Sequence, residues 1–283
     1  MNPTSGSAKA HQLLKHIEAF DLIRDKKLMV TKYKNHAFEL AQESIKENPK
    51  AVVAVGGDGT VNEVARAMMG SSIPVGILPC GSGNGLAGHL GISKSVNKAL
   101  VTIQQHNLKQ IDLIRVNTDI SCNTAGLGFD GFVAEHFGKN GKRGFASYLN
   151  LGLKHFKKYP AFQCDINGEQ FEQLLSLEVA NSSQLGNKAI ISPLSSVCDG
   201  MAEVVCLTKP KSHQLPSMFY RVFGRSFHKS KLTQIRSLHS AQIKLDRMVE
   251  FHVDGEFKGK TQHLHFEILN KALTVIVPST KKI

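Results

Sequence analysis

The sequence predicts two domains: an α/β domain built on a parallel sheet, then a mostly antiparallel β-sandwich. Three observations carry this. The first third alternates apolar runs with helix-period segments. Two of those runs end directly in glycine-rich turns, at Gly56-Gly57-Asp58-Gly59-Thr60 and Gly81-Ser82-Gly83-Asn84-Gly85. Further on, Asn167-Gly168 and Asp254-Gly255 separate strand-like stretches, the signature of β-hairpins.

In order along the chain, residues 28–31 read as a short strand and 35–47 as a helix with Phe38, Leu40, Ala41 and Ile45 apolar. Residues 51–55 are continuously apolar, as in a parallel strand covered on both faces. A helix over 61–69 and a second buried strand over 74–79 follow, then helices to about 105. Beyond residue 111 the pattern becomes hairpins. Strands are expected at 162–166, 171–179, 243–245, 251–253, 264–269 and 273–277, with helices near 145–157 and 214–223. The domains are placed at 1–115 and 116–283, with a final strand at 273–278 returning to the first.

Composition narrows the class. Of 283 residues, 41% are hydrophobic and 20% charged, as in an ordinary globular protein. The chain carries 35 Lys and Arg against 23 Asp and Glu, a formal net charge of +12 that favours anionic partners. Basic residues recur at Lys139, Lys142, Arg143, Lys154, Lys157 and Lys158, and at Arg221, Arg225, Lys229 and Lys231. Each run is as readily a solvated face as a membrane-facing one; taken together they suit an acidic lipid surface. No apolar run approaches a bilayer span, the N-terminus has no apolar leader segment, and the five cysteines form no CxxC pair. A reduced, cytoplasmic chain is expected.

The first glycine turn joins a buried strand to a helix, where bare backbone N–H groups and the helix N-terminus suit a phosphate. Thr60 and Glu63 have capping-box spacing, which explains them without function. Asp58 is not explained that way: a carboxylate beside phosphates argues for magnesium or for acid/base work. The turn matches neither a Walker A loop nor the G-x-G-x-x-G fingerprint. The second turn follows the next strand, and the ends of parallel strands share one sheet edge, so both turns could converge on one polyphosphate.

At this point the chain resembles the diacylglycerol kinase catalytic family, which includes bacterial lipid kinases, sphingosine kinases and ceramide kinase. The resemblance rests on Asn2-Pro3-Thr4-Ser5-Gly6, residues 56–63, 81–84 and 123–130, Asp199-Gly200, and Val253-Asp254-Gly255-Glu256, in the family's order. It implies an ATP- and Mg2+-dependent kinase that phosphorylates the hydroxyl of diacylglycerol, a sphingoid base or a related lipid. Its implied nucleotide contacts are Asn2, Pro3, Thr4, Ser5, Gly6, Thr31, Gly57, Asp58, Gly59, Thr60, Val61, Asn62, Glu63 and Ser82. Glu256 would be the general base, with Asp58 organising metal or water. The Asp199 carboxylate and the carbonyls of Ser196 and Met201 would hold a structural magnesium; an Asp-Gly turn is the equal alternative. Arg143 is similar to a basic residue near the phosphates in sphingosine kinases. The partner implied is lipid at a membrane surface, with no nucleic acid, and a homodimer is left open.

Two features depart from the pattern. The family places an apolar strand before its Asn-Pro-x-Ser-Gly loop, whereas this chain starts at Met1-Asn2, so a sheet lacking one strand and a late start or truncation are expected. Asn84-Gly85 stands where many bacterial diacylglycerol kinases have Asn-Asp, a form closer to sphingosine kinases. NAD kinase, which shares the Gly-Gly-Asp-Gly-Thr turn, is the rival enzyme, and a non-catalytic nucleotide- or lipid-binding protein is the rival of another class.

Overall fold

The computed structural model describes residues 1–3, 10–20, 23, 25–137 and 145–279. The N-terminal part contains α1 (Ala10–Glu18), α2 (His36–Ile45), β1 (Val52–Gly56), α3 (Asp58–Met68), β2 (Val75–Pro79), α4 (Gly85–His89), α5 (Val96–Gln105) and β3 (Leu108–Val116). The C-terminal part opens with β4 (Asp119–Ser121), β5 (Thr124–Gly128), α6 (Phe129–His136), α7 (Phe145–His155), β6 (Phe162–Ile166) and β7 (Glu169–Ala180). It ends with β8 (Gln184–Gly186), β9 (Ala189–Ile190), β10 (Ala202–Thr208), α8 (Leu215–Phe223), β11 (Thr233–Leu238), β12 (Ser240–Val253) and β13 (Glu256–Ile276).

Strands β1 and β2 pair in parallel from Val52↔Val75 to Gly56↔Pro79, so both glycine turns leave the same sheet edge. The end of β13 returns beside β2, in parallel at Val275↔Val75. α3 covers this sheet because Val61, Val64, Ala65 and Met68 fall on one helical face and are all buried. Each large member of such a stripe stabilises the fold by about 1.5–3 kcal/mol.

The C-terminal strands pair antiparallel, with β12 and β13 joined at Val253↔Glu256 and β6 and β7 at Ile166↔Glu169. Both tight turns fall where Asp254-Gly255 and Asn167-Gly168 predict them, and each uses positive φ at both central residues.

Among the described residues two large hydrophobic cores stand beside two smaller clusters, and two strands belong to both large cores. On β3, Ile111 and Leu113 enter the first core while Ile114 and Val116 enter the second. On β13, Leu273, Val275 and Ile276 enter the first while Leu264, Phe266 and Ile268 enter the second. These two strands pair antiparallel from Phe266↔Val116 to Ile276↔Leu108. A boundary near residue 115 therefore cuts through a strand. The cores are separate and the backbone is not.

Three local expectations are corrected. Residues 28–31 form no strand. Their backbone meets Met1, with the Thr31 N–H donating to the Met1 carbonyl at 2.9 Å and the Met1 amine to the Met29 carbonyl at 2.6 Å, contacts that do not continue as a ladder among the described residues. The segments at 264–269 and 273–277 are one long strand with a register shift between Leu269 and Leu273. Helix α3 starts at Asp58 rather than 61, so Thr60 is inside it and no side chain caps it.

Candidate active site

The two glycine turns meet through bare backbone. A Cβ on Gly81 would lie 2.5 Å from the Gly57 Cα, and one on Gly83 would lie 2.7 Å from Asp58 Oδ2. Only hydrogen at Gly81 permits that approach. Between the turns, the Cys80 N–H donates to the Gly56 carbonyl at 2.8 Å. Asn84 closes the second turn: it adopts the left-handed conformation, and its side chain accepts from the Gly81 N–H and donates to the Gly81 carbonyl.

Asp58 ties the turns together. Its Oδ2 accepts the Asn84 N–H and its Oδ1 the Gly85 N–H, both at 2.8 Å. Burial pushes its carboxyl up to about 6 against the pull of those two amides, with the Asp254 charge adding to the rise. Sequence reasoning singled out Asp58 but missed this part, because the loop it holds lies beyond the next strand.

The first turn of α3 has no side-chain cap, and a Cβ at Gly59 would meet nothing within 4 Å. Open amides at a helix N-terminus are the donor set that phosphate oxygens need. Asn2 packs against this turn, its Nδ2 donating to Thr60 Oγ1 at 3.3 Å and its backbone N–H to the Val55 carbonyl at 3.0 Å. Pro3 follows it, Ser82 is exposed at the tip of the second loop, and Thr31 is buried beside Met1. Thr4, Ser5, Gly6 and Arg143 lie outside the described residues.

The side chains of three expected nucleotide contacts are engaged elsewhere. Val61 is in the first core. Glu63 accepts the backbone N–H groups of Asn35 at 2.9 Å and Ala37 at 3.0 Å, so it caps α2 rather than its own helix. The capping box inferred from Thr60 and Glu63 is thereby corrected. Asn62 donates to the Ile120 carbonyl at 2.7 Å and to Asp254 Oδ2 at 2.8 Å, which joins the two parts of the molecule.

Asp254 is the residue the sequence undervalued. Read as half of a hairpin turn, it also gathers Ser121 Oγ at 2.6 Å and the N–H groups of Cys122, Asn123 and Thr124 at 2.9–3.1 Å, besides Asn62. Its own N–H donates to the Thr124 carbonyl at 2.8 Å. Behind it, His252 and Glu178 form a buried pair at 2.9 Å, and the Gly255 N–H meets His252 Nδ1 at 3.3 Å.

This turn carries Glu256, which is paired with Lys34 from the loop before α2 and lies 3.4 Å from Lys258. Burial raises the Glu256 carboxyl, but Lys34 and Lys258 outweigh it and hold the group below the ordinary carboxylate range. A carboxylate ionised at neutral pH is suited to accept a proton.

Residues 196–201 have the geometry of a turn. Asp199 is exposed and its Oδ1 accepts the Met201 N–H at 3.1 Å, while the Gly200 N–H donates to Asp112 at 2.8 Å. The Ser196 hydroxyl lies 3.4 Å from the Cys198 sulfur. One exposed carboxylate is a sparse donor set for a dedicated magnesium cage. Among the described residues, no three His, Cys, Asp or Glu side chains gather as a metal site. A magnesium ion that arrives on phosphates needs only one or two carboxylates, and Asp58, costly to ionise where it stands, fits that requirement.

The diacylglycerol kinase catalytic domain matches residues 1–116, and the YegS C-terminal NAD kinase beta sandwich-like domain matches 123–277. A Salmonella gallinarum protein named "Probable lipid kinase YegS" is 30% identical over 277 residues, covering 92% of this chain and 90% of that protein. A Klebsiella pneumoniae protein named "Probable lipid kinase YegS-like" is 30% identical over 274 residues, with the same coverage. Among solved structures, a diacylglycerol kinase from Bacillus anthracis str. Sterne aligns with TM-score 0.75 at 19% identity, covering 98% of this chain and 95% of that one. An NAD kinase from Archaeoglobus fulgidus aligns at 0.50 and 12% identity, covering 98% and 92%; both are likenesses of fold. The molecule is thus a kinase with a catalytic N-terminal domain and a β-sandwich-like C-terminal one. The chain belongs to the diacylglycerol kinase catalytic family, a family of lipid kinases.

Proposed function

We propose that this protein transfers the γ-phosphate of ATP to the hydroxyl of a lipid, with magnesium, at a membrane surface. One observation carries the reading: two glycine loops packed backbone to backbone beside an uncapped helix, with the Glu256 turn joined to that helix through Asp254 and Asn62.

Bound magnesium ATP would supply the transferable phosphoryl group and the cation that offsets its charge. The chain's own work is positioning. Amides of Gly57 and Gly59 and the first turn of α3 would bind phosphate oxygens, with Asn2, Pro3, Thr31, Thr60 and Ser82 around them. Asp58 would hold the cation or its water. Glu256 would accept the lipid hydroxyl's proton at a carboxylate oxygen, with Lys34 and Lys258 keeping it ionised until then. Diacylglycerol is the acceptor the family favours, while the Asn84-Gly85 loop favours a sphingoid base.

A thin-layer assay with γ-labelled ATP, magnesium and a panel of diacylglycerol, a sphingoid base and NAD tests this. Labelled lipid, lost on chelating magnesium, is the expected result. Labelled NAD, or nucleotide binding without turnover, would replace the reading.

A further inference from the structure

Helix α8 carries more apolar surface than the protein covers. Leu215, Met218 and Val222, spaced along one side, pack on the satellite clusters around Tyr159 and Phe227. Phe219, on the flank of that stripe, and Tyr220, on the far side of the helix, are 46% and 75% exposed, and the Phe219 ring meets Phe223 at a tilt with 4.7 Å between centroids. No residue of this helix is buried. An aromatic ridge left in water carries a hydration cost that contact with an apolar surface removes.

The surroundings identify the surface. Between Glu203 and Asp246 the chain contains no Asp or Glu but has eight lysines and arginines. Arg236 is paired with Glu169, and Lys209 donates to the carbonyls of Lys157 and Tyr159. Lys211, Arg225, Lys229 and Lys231 are exposed, and among the described residues no carboxylate pairs with them. Aromatics flanked by basic side chains, on a helix lying flat, match the depth profile of an anionic bilayer: rings at the acyl boundary, cations at the headgroups.

Position supports this. The β8–β9 hairpin links α8 to the second glycine loop: β9 packs on α8, and the Asn187 N–H at the hairpin turn donates to the Gly83 carbonyl at 3.2 Å. We propose that α8 is the docking element that seats this protein on anionic phospholipid, Phe219 and Tyr220 entering the interface and Lys211, Arg225, Lys229 and Lys231 engaging headgroups. This deepens the lipid-kinase reading by naming the surface through which membrane is met.

Co-sedimentation with vesicles of equal parts phosphatidylglycerol and phosphatidylcholine, against pure phosphatidylcholine, tests it. Each removed cation weakens such binding by about 1 kcal/mol, so Lys229→Gln with Lys231→Gln weakens it roughly 30-fold and added salt does the same. Phe219→Ser with Tyr220→Ser weakens it at least about tenfold, from lost apolar burial. The melting temperature of each variant stays at the parent value. Unchanged binding in both variants overturns the proposal. So does conversion of a dimer to a monomer by the aromatic pair with vesicle binding intact, which would make the ridge a contact between two copies. Sedimentation reads binding without turnover. A chain that binds vesicles yet phosphorylates no lipid sinks the proposed function alone; one that phosphorylates lipid while its α8 variants bind normally sinks this inference alone.

Discussion

Gly57 and Gly81 meet because neither has a side chain, whereas Asp254, at the turn joined to α3, gathers five donors on one carboxylate. The loops are specified by what must be absent, the turn by what must be satisfied. A loop emptied of side chains leaves backbone N–H groups for a ligand. A turn whose charge is fully used within the protein cannot itself do chemistry, but it holds its neighbour Glu256 in place. On the proposed reading, residues two positions apart on one hairpin divide the work: Asp254 supports the turn and Glu256 would accept the proton.

The largest effect should come from the supporting residue. In Asp254→Ala the amides of Cys122, Asn123 and Thr124 lose their acceptor, and each buried orphan costs about 1–3 kcal/mol. Denaturant unfolding should register a stability loss of roughly 3–6 kcal/mol; a loss below about 1 kcal/mol would reduce Asp254 to an ordinary turn residue.

Next comes the proposed base. Glu256→Gln should lower kcat roughly 10²–10⁴-fold with the unfolding midpoint unmoved. Intact lipid phosphorylation in this variant removes the base assignment, and a large stability loss would erase the division of work between the two positions.

On the loop side, Gly81→Ala pushes a methyl group into the Gly57 backbone. Overpacking of this kind costs about 1–3 kcal/mol, and if the loops grip phosphates the change should appear mainly as a raised KM for ATP. A raised KM for lipid instead would place the loops away from the nucleotide.

The smallest effect concerns pH. Asp58 stands at about 6 and Glu256 below the ordinary carboxylate range, so activity should fall in two steps as pH drops, first as Asp58 takes up a proton and then through the lowered Glu256 value. Lys34→Met removes the cation hydrogen-bonded to Glu256 and leaves burial less opposed, so the second, more acidic step of kcat/KM should move to higher pH. A step that stays in place would mean Lys34 does not govern the base.

Much of this was legible locally. Both glycine turns follow apolar strands, both hairpin turns carry their turn residues in sequence, and Asp58 stood out as a charge that local structure did not explain. What escaped reading was long-range. Glu63 has the spacing of a cap for its own helix, yet accepts from α2, because α3 begins at Asp58. Asp254 reads as a turn former because all its donors lie more than a hundred residues away, Asn62 the most distant. The β8–β9 hairpin gives too short an apolar signal to be read, though its turn touches the second glycine loop.

The sequence by itself determined where backbone would be bare, where the chain would reverse, and which side chains would pair with a strand or helix period, since those depend on neighbours within a few residues. Only tertiary structure decided that the two bare loops touch, that β3 and β13 serve both cores, and that Asp254 anchors the turn bearing Glu256. Such contacts form when distant strands come into register, and no local preference encodes which distant carboxylate will meet which amide.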